Sequence, residues 1–132
     1  MSVLFITDRW PLPVAEFRHG TAIRMRMLLQ ALQQVDSQVF MLLLSPVPQN
    51  WDDSVSGALQ ADLQGLWGVT LAGIAAVAPA TPPKLKGPQW WKEYVRPALG
   101  LYQQPNYAQV TTALHQQALH DALARWCPQV LF

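Results

Sequence analysis

Side chains able to do chemistry crowd into one stretch, Asp8 to Arg24, which holds Asp8, Arg9, Glu16, Arg18, His19, Gly20, Thr21 and Arg24. The set suits recognition of a phosphate or a sugar. Gly20, with no Cβ, lets a ligand approach the backbone closely at the start of a predicted helix, where free N–H groups favour anions. Arg18 and Arg24 add positive charge beside it. At 100° per residue Arg24 falls in the same stripe as Met27, Ala31 and Val35, yet in the first turn, from which it reaches the ligand edge and not the core. The competing role for Arg24 is snorkelling to solvent or pairing with Asp8 or Glu16. Arg26 reads as a solvated charge.

Other chemistries lack their local patterns. Gly20 stands alone where a dinucleotide fingerprint needs G-x-G-x-x-G, and no G-x-x-x-x-G-K-[ST], G-x-S-x-G, H-E-x-x-H or C-x-x-C occurs. His115 and His120 stand five apart on a predicted helix and do not share a face, so His115 is expected to be packed and His120 to lie at the surface. The single cysteine, Cys127, excludes an internal disulfide framework and offers no zinc spacing. It reads as a small buried residue, and a reducing cytoplasm is the expected compartment. Nine basic against eight acidic residues leave no field of positive charge for nucleic acid.

These residues must be positioned by surrounding elements. Val3 to Thr7 is short, β-branched and aromatic, and Pro11 and Pro13 forbid continuing its ladder, so it is a predicted strand. It lacks the basic flank and length of a secretory signal. Thr21 to Val35 follows a helical pattern. Ile23, Met27, Leu28, Ala31, Leu32 and Val35 are expected to form its buried stripe, with Arg26, Gln30, Gln33 and Gln34 on the other side. Val39 to Leu44 is apolar on both faces, as a covered parallel sheet requires. Strand, helix and strand make a βαβ unit with a right-handed crossover, which predicts an α/β fold over a single domain, residues 1–132.

The remainder predicts a short amphipathic helix over Asp52 to Gln64, with Val55, Leu59 and Leu63 spaced by four. Leu63 to Pro83 carries no charge, but glycines and prolines interrupt it, so it is read as buried strand and loop in preference to a membrane span. Within it Val69 to Ala78 supplies one or two strands. A Pro-rich loop, Pro79 to Pro88, leads to a short helix over Trp90 to Arg96. Lys84, Lys86, Trp90, Trp91 and Lys92 put basic and aromatic residues together, as on a surface touching the inner face of a membrane peripherally, but with Glu93 among them the favoured reading is a loop whose tryptophans pack on the domain. Tyr107 to Trp126 forms a last helix with His115, Leu119, Ala122 and Trp126 on one face, ended by Pro128. Gln129 to Phe132 opens a further strand shorter than the usual five or six residues, so the domain is expected to be incomplete at its C-terminus. Charged residues are 13% of the chain, about half the usual share, and fourteen glutamines supply much of the missing polarity.

The order of Val3-Leu4-Phe5-Ile6-Thr7, Pro11-Leu12-Pro13, Gly20 opening a helix with Ile23-Arg24-Met25-Arg26 and Leu28-Leu29-Gln30-Ala31-Leu32, and the strand Gln38 to Leu44 resembles the start of family 4 glycosyltransferases. Ala122 to Phe132 is loosely similar to that family's helix entering its next central strand. The resemblance implies a GT-B architecture, in which two Rossmann-like domains face a cleft. The N-terminal domain mainly binds acceptor and the C-terminal domain binds the nucleotide sugar, with no obligatory metal and no cofactor beyond that donor. By position Gly20 takes the place of the second glycine of the family's paired-glycine loop and His19 that of the first. A histidine there restricts close approach to donor phosphates. The family's E-x₇-E donor pattern does not occur in these residues, and no catalytic residue is assigned. The implied activity is transfer of a sugar to a hydroxyl of a glycan, lipid or small molecule, with the chain inactive alone. The competing class is a non-enzymatic α/β module whose sparsely charged surface docks a partner chain, and another α/β nucleotide-binding enzyme would share the opening βαβ unit.

Overall fold

The computed structural model describes residues 1–17, 20–35, 38–45, 48–79 and 113–132. The β-branched and aromatic run near the N-terminus forms strand β1 (Ser2–Thr7), followed by a 3-10 turn (Val14–Glu16), helix α1 (Gly20–Gln34) and strand β2 (Gln38–Leu44). Helix α2 (Asp53–Asp62) then runs into a π-helical turn (Leu63–Trp67), and strand β3 (Gly73–Val77), helix α3 (Ala113–Trp126) and strand β4 (Val130–Leu131) follow. The strands form one sheet in the order β3-β2-β1-β4, and every pairing is parallel. The fold is therefore α/β.

Parallel neighbours need crossovers, and crossovers of one hand put helices on opposite faces when the winding direction reverses. The steps from β1 to β2 and from β2 to β3 run outward one way. Val3, Phe5, Val39, Met41 and Leu43 on that face pack with Met25 and Leu29 of α1, Leu59 of α2 and Leu63 of the π-helical turn. The return from β3 to β4 runs back past β1, and α3 covers the other face, where Leu4 and Leu42 meet Ala122, Leu119 and Trp126. Because side chains alternate along a strand, a sheet covered on both sides needs apolar residues at consecutive positions. Val39 and Met41 to Leu43 are essentially inaccessible to water.

Helix α1 buries a different face from the one its hydropathy predicts. Ala22, Met25, Leu29 and Leu32 point to the sheet, while Ile23, Met27, Leu28 and Val35 are exposed. Leu32 is the one residue of the expected stripe that is buried. The helix carries two apolar arcs, and two glutamines fix its rotation: Gln30 Nε2 donates to the Trp67 carbonyl at 2.8 Å, and Gln33 Oε1 accepts from the Thr70 N–H at 3.0 Å. Those bonds turn the glutamines toward the π-helical turn and leave the Ile23–Met27–Val35 arc outside.

Helix α2 starts at Asp52, whose Oδ1 accepts from the Val55 N–H at 2.8 Å and so satisfies one of the helix's free donors. It extends beyond the predicted end as a π-helical turn, so residues 63–67 are helical and not strand. Gly68 closes the turn with φ +68°, a left-handed conformation that glycine adopts without steric cost. Only one strand, β3, forms in the following stretch. Cys127 is exposed, with φ +43°. The expectation that it is buried fails because Trp126 takes the inward position at the end of α3 and Cys127 is the left-handed residue that lets Pro128 leave the helix. Most of the Pro-rich loop, the Trp90 to Arg96 segment, the basic–aromatic set Lys84, Lys86, Trp90, Trp91 and Lys92, and the start of the last predicted helix lie outside the described residues.

Trp126 stacks on Phe40 with ring centroids 5.0 Å apart, and the pair covers Gly73. A Cβ at Gly73 would lie 3.0 Å from Phe40 Cδ1 and 3.1 Å from Trp126 Nε1. Gly73→Val is expected to destabilise the chain by about 1–3 kcal/mol, read as a lower urea midpoint. An unchanged midpoint would show that the indole does not hold the edge strand.

Candidate functional site

In an open parallel sheet a crevice forms at the carboxyl edge where the winding reverses, because the flanking connections leave to opposite faces there. With the order β3-β2-β1-β4 that point lies between β1 and β4. The pairing continues past the short β4, since Ile6 N–H donates to the Phe132 carbonyl at 2.8 Å and Phe132 N–H to the Leu4 carbonyl at 2.9 Å.

The loop leaving β1 at this edge is tightly specified. The Thr7 hydroxyl accepts from the Arg9 N–H at 3.0 Å, which turns the chain out of the sheet. Trp10 then reaches sideways over β2, its indole N–H donating to the Leu44 carbonyl at 3.0 Å. Its ring meets Trp51 edge-on, with centroids 5.6 Å apart at 81°. Asp8, Arg9, Trp10, Leu12, Phe17 and Gln49 line a cavity of about 240 Å³ at this edge. Its wall thus combines a carboxylate, a guanidinium, an amide and two aromatic rings, a set able to hydrogen-bond hydroxyls and stack on an apolar ring face.

The start of α3 is fastened to the same edge. His115 and Ser45 are both buried, and His115 Nε2 lies 2.7 Å from the Ser45 carbonyl oxygen. A carbonyl only accepts, so the Nε2 position carries the proton. His115 is packed and His120 exposed, as expected. Among the described residues no group of three His, Cys, Asp or Glu side chains could hold a metal ion, and no helix is long and apolar enough to cross a membrane.

The residues singled out from sequence separate in space. Asp8 and Arg9 share the cavity, whereas Arg18 and His19 lie outside the described residues. Gly20 is the first residue of α1, exposed, and among the described residues a Cβ there would meet nothing within 4 Å. Arg24 is exposed and makes no ion pair with Asp8 or Glu16. It sits on the solvent-facing arc of α1, and neither it nor Gly20 lines the cavity. Sequence reasoning missed Trp10, Phe17 and Gln49. The available signal was an aromatic residue directly after a strand and before two prolines, where only a ring with an N–H can pack and pair at once. No protein-family model, curated protein or solved structure matches the chain.

Trp10→Phe keeps a ring against Trp51 and removes the donor to Leu44, and is expected to cost about 1 kcal/mol in urea unfolding. His115→Leu, which removes the donor to Ser45, is expected to cost about 2 kcal/mol, with His115→Gln recovering part of it. Equal losses for the two His115 variants would mean that packing, and not the hydrogen bond, fixes α3.

Proposed function

We propose that this chain is the acceptor-side domain of a GT-B glycosyltransferase that moves a sugar from a nucleotide-sugar donor to a hydroxyl acceptor. The observation that carries the reading is the polar cavity formed by the loops at the carboxyl ends of β1 and β2 in a parallel β3-β2-β1-β4 sheet. The order of elements adds support, since a strand, a proline-containing loop and a glycine opening the first long helix are what the family resemblance implies. The fold alone is shared by many chemistries.

On this reading the acceptor hydroxyl is held at the carboxyl edge, with Asp8 and Gln49 as hydrogen-bonding groups and Trp10 as a stacking surface. Departure of the nucleotide diphosphate from the sugar leaves an oxocarbenium-like centre, and the departing negative charge needs positive charge or helix N-termini nearby. The N–H groups at Gly20, with Arg18, His19 and Arg24, are the part of this chain assigned to the donor side. The remaining donor contacts belong to a second α/β domain.

A second reading, a binding module that docks a partner chain, draws on the exposed Ile23, Met27, Leu28 and Val35 of α1. The two readings separate in the whole native protein. Under the transferase reading, Gly20→Val and Arg24→Ala lower kcat/KM for sugar transfer roughly tenfold or more. Their thermal unfolding stays near that of the parent, because no described residue lies within 4 Å of a Cβ at Gly20 and Arg24 is exposed. Unchanged turnover in both variants would remove these residues from the site. Absence of sugar transfer from every nucleotide-sugar tested, together with a stoichiometric complex lost on Met27→Glu, would favour the module.

A further inference from the structure

We propose that the groove between the 3-10 turn, the first two turns of α1 and the π-helical turn is a binding site for a small anionic amphiphile, an apolar chain or ring carrying one carboxylate or comparable anion. The groove encloses about 300 Å³, at the small end of the range found for small-molecule sites. Its floor is apolar: Val14, Ala22 and Trp67 are buried. The Phe17 ring lies 6.4 Å from that of Trp67, tilted by 32°.

Two observations specify the occupant. Ile23 and Leu66 are 56% and 51% exposed and both line the groove, so an apolar ligand seated there removes them from water. Arg26 lines the same groove and has no ion-pair or hydrogen-bond partner among the described residues. No acidic residue occurs anywhere in α1. A guanidinium beside an apolar floor favours a ligand with one anionic end, because a neutral apolar molecule leaves it unpaired and a cation is repelled. A second copy of α1 fits poorly, since it would bring Arg24 and Arg26 toward their own equivalents.

The shape of the groove comes from a local irregularity. An ordinary α-helical continuation of α2 would carry Leu66 and Trp67 to other directions, whereas the wider π-helical turn, closed by Gly68, presents both to α1. Such turns recur at functional sites. Phe17 also lines the polar cavity at the sheet edge, so the two spaces adjoin. The inference does not rest on the transferase reading, because it concerns binding by this chain alone.

The test is calorimetric titration of the full 132-residue chain with decanoate, decanol and decyltrimethylammonium, each below its micelle-forming concentration. The expected result is one decanoate per chain, bound roughly tenfold more tightly than decanol, with no saturable binding of the cation. Arg26→Gln is expected to bring decanoate down to the affinity of decanol, and Leu66→Ser to weaken both roughly fivefold. Circular dichroism checks that both variants keep the fold, and Arg26, being exposed, carries the decision. Equal affinity for all three probes, full decanoate affinity in Arg26→Gln, several molecules per chain, or a self-associated chain that decanoate leaves unchanged would each overturn the proposal.

Discussion

Val3 and Leu4 are adjacent in β1, point to opposite faces of the sheet, and are both inaccessible to water. A strand enclosed on both faces has no solvent to satisfy its backbone groups, so each edge must be paired. β2 supplies one edge along the whole of Ser2–Thr7, and β4, extended by Phe132, supplies the other. From this follow the two covering layers and the reversal of winding beside β1. The crevice at the carboxyl edge is thus a consequence of burying the first strand.

The edge is held by groups that serve the backbone. Trp10 ties the loop after β1 to the last carbonyl of β2, and His115 ties α3 to the next one. These two bonds approach β2 from connections on either side of the sheet, so the loop carrying Asp8 and Arg9 and the start of α3 are referenced to one strand end. On the transferase reading, such fixed loop ends are what orienting an acceptor hydroxyl requires. Gly20 stands just outside this framework. No described residue crowds it, so glycine there answers to no packing among the described residues.

The α/β class, the three longer strands and the face of α3 were legible because they depend on patterns that hydropathy states directly. The unbroken apolar run Val39 to Leu44 points to a covered sheet, and His115, Leu119, Ala122 and Trp126 share one face of their helix. Helix α1 was legible as a helix but not in its rotation. It offers two apolar arcs, and the choice is made by Gln30 and Gln33 bonding to Trp67 and Thr70, more than thirty residues away. The same long-range bonds meet the π-helical turn and the residues after it, a stretch that the uncharged, glycine-interrupted run from Leu63 suggests as strand and loop beyond a helix ending at Gln64. Asp8 and Arg9 were visible as chemistry, while the cavity they line also takes Trp10 and Gln49 from separate loops.

The most direct test of the acceptor-side assignment is to sequence the native transcript across the codon for Phe132 and to match it to the intact mass of the cellular protein. The account predicts a reading frame that continues into a second α/β domain carrying an E-x₇-E pattern. A stop codon directly after Phe132, with a cellular mass equal to that of the 132-residue chain, would contradict it.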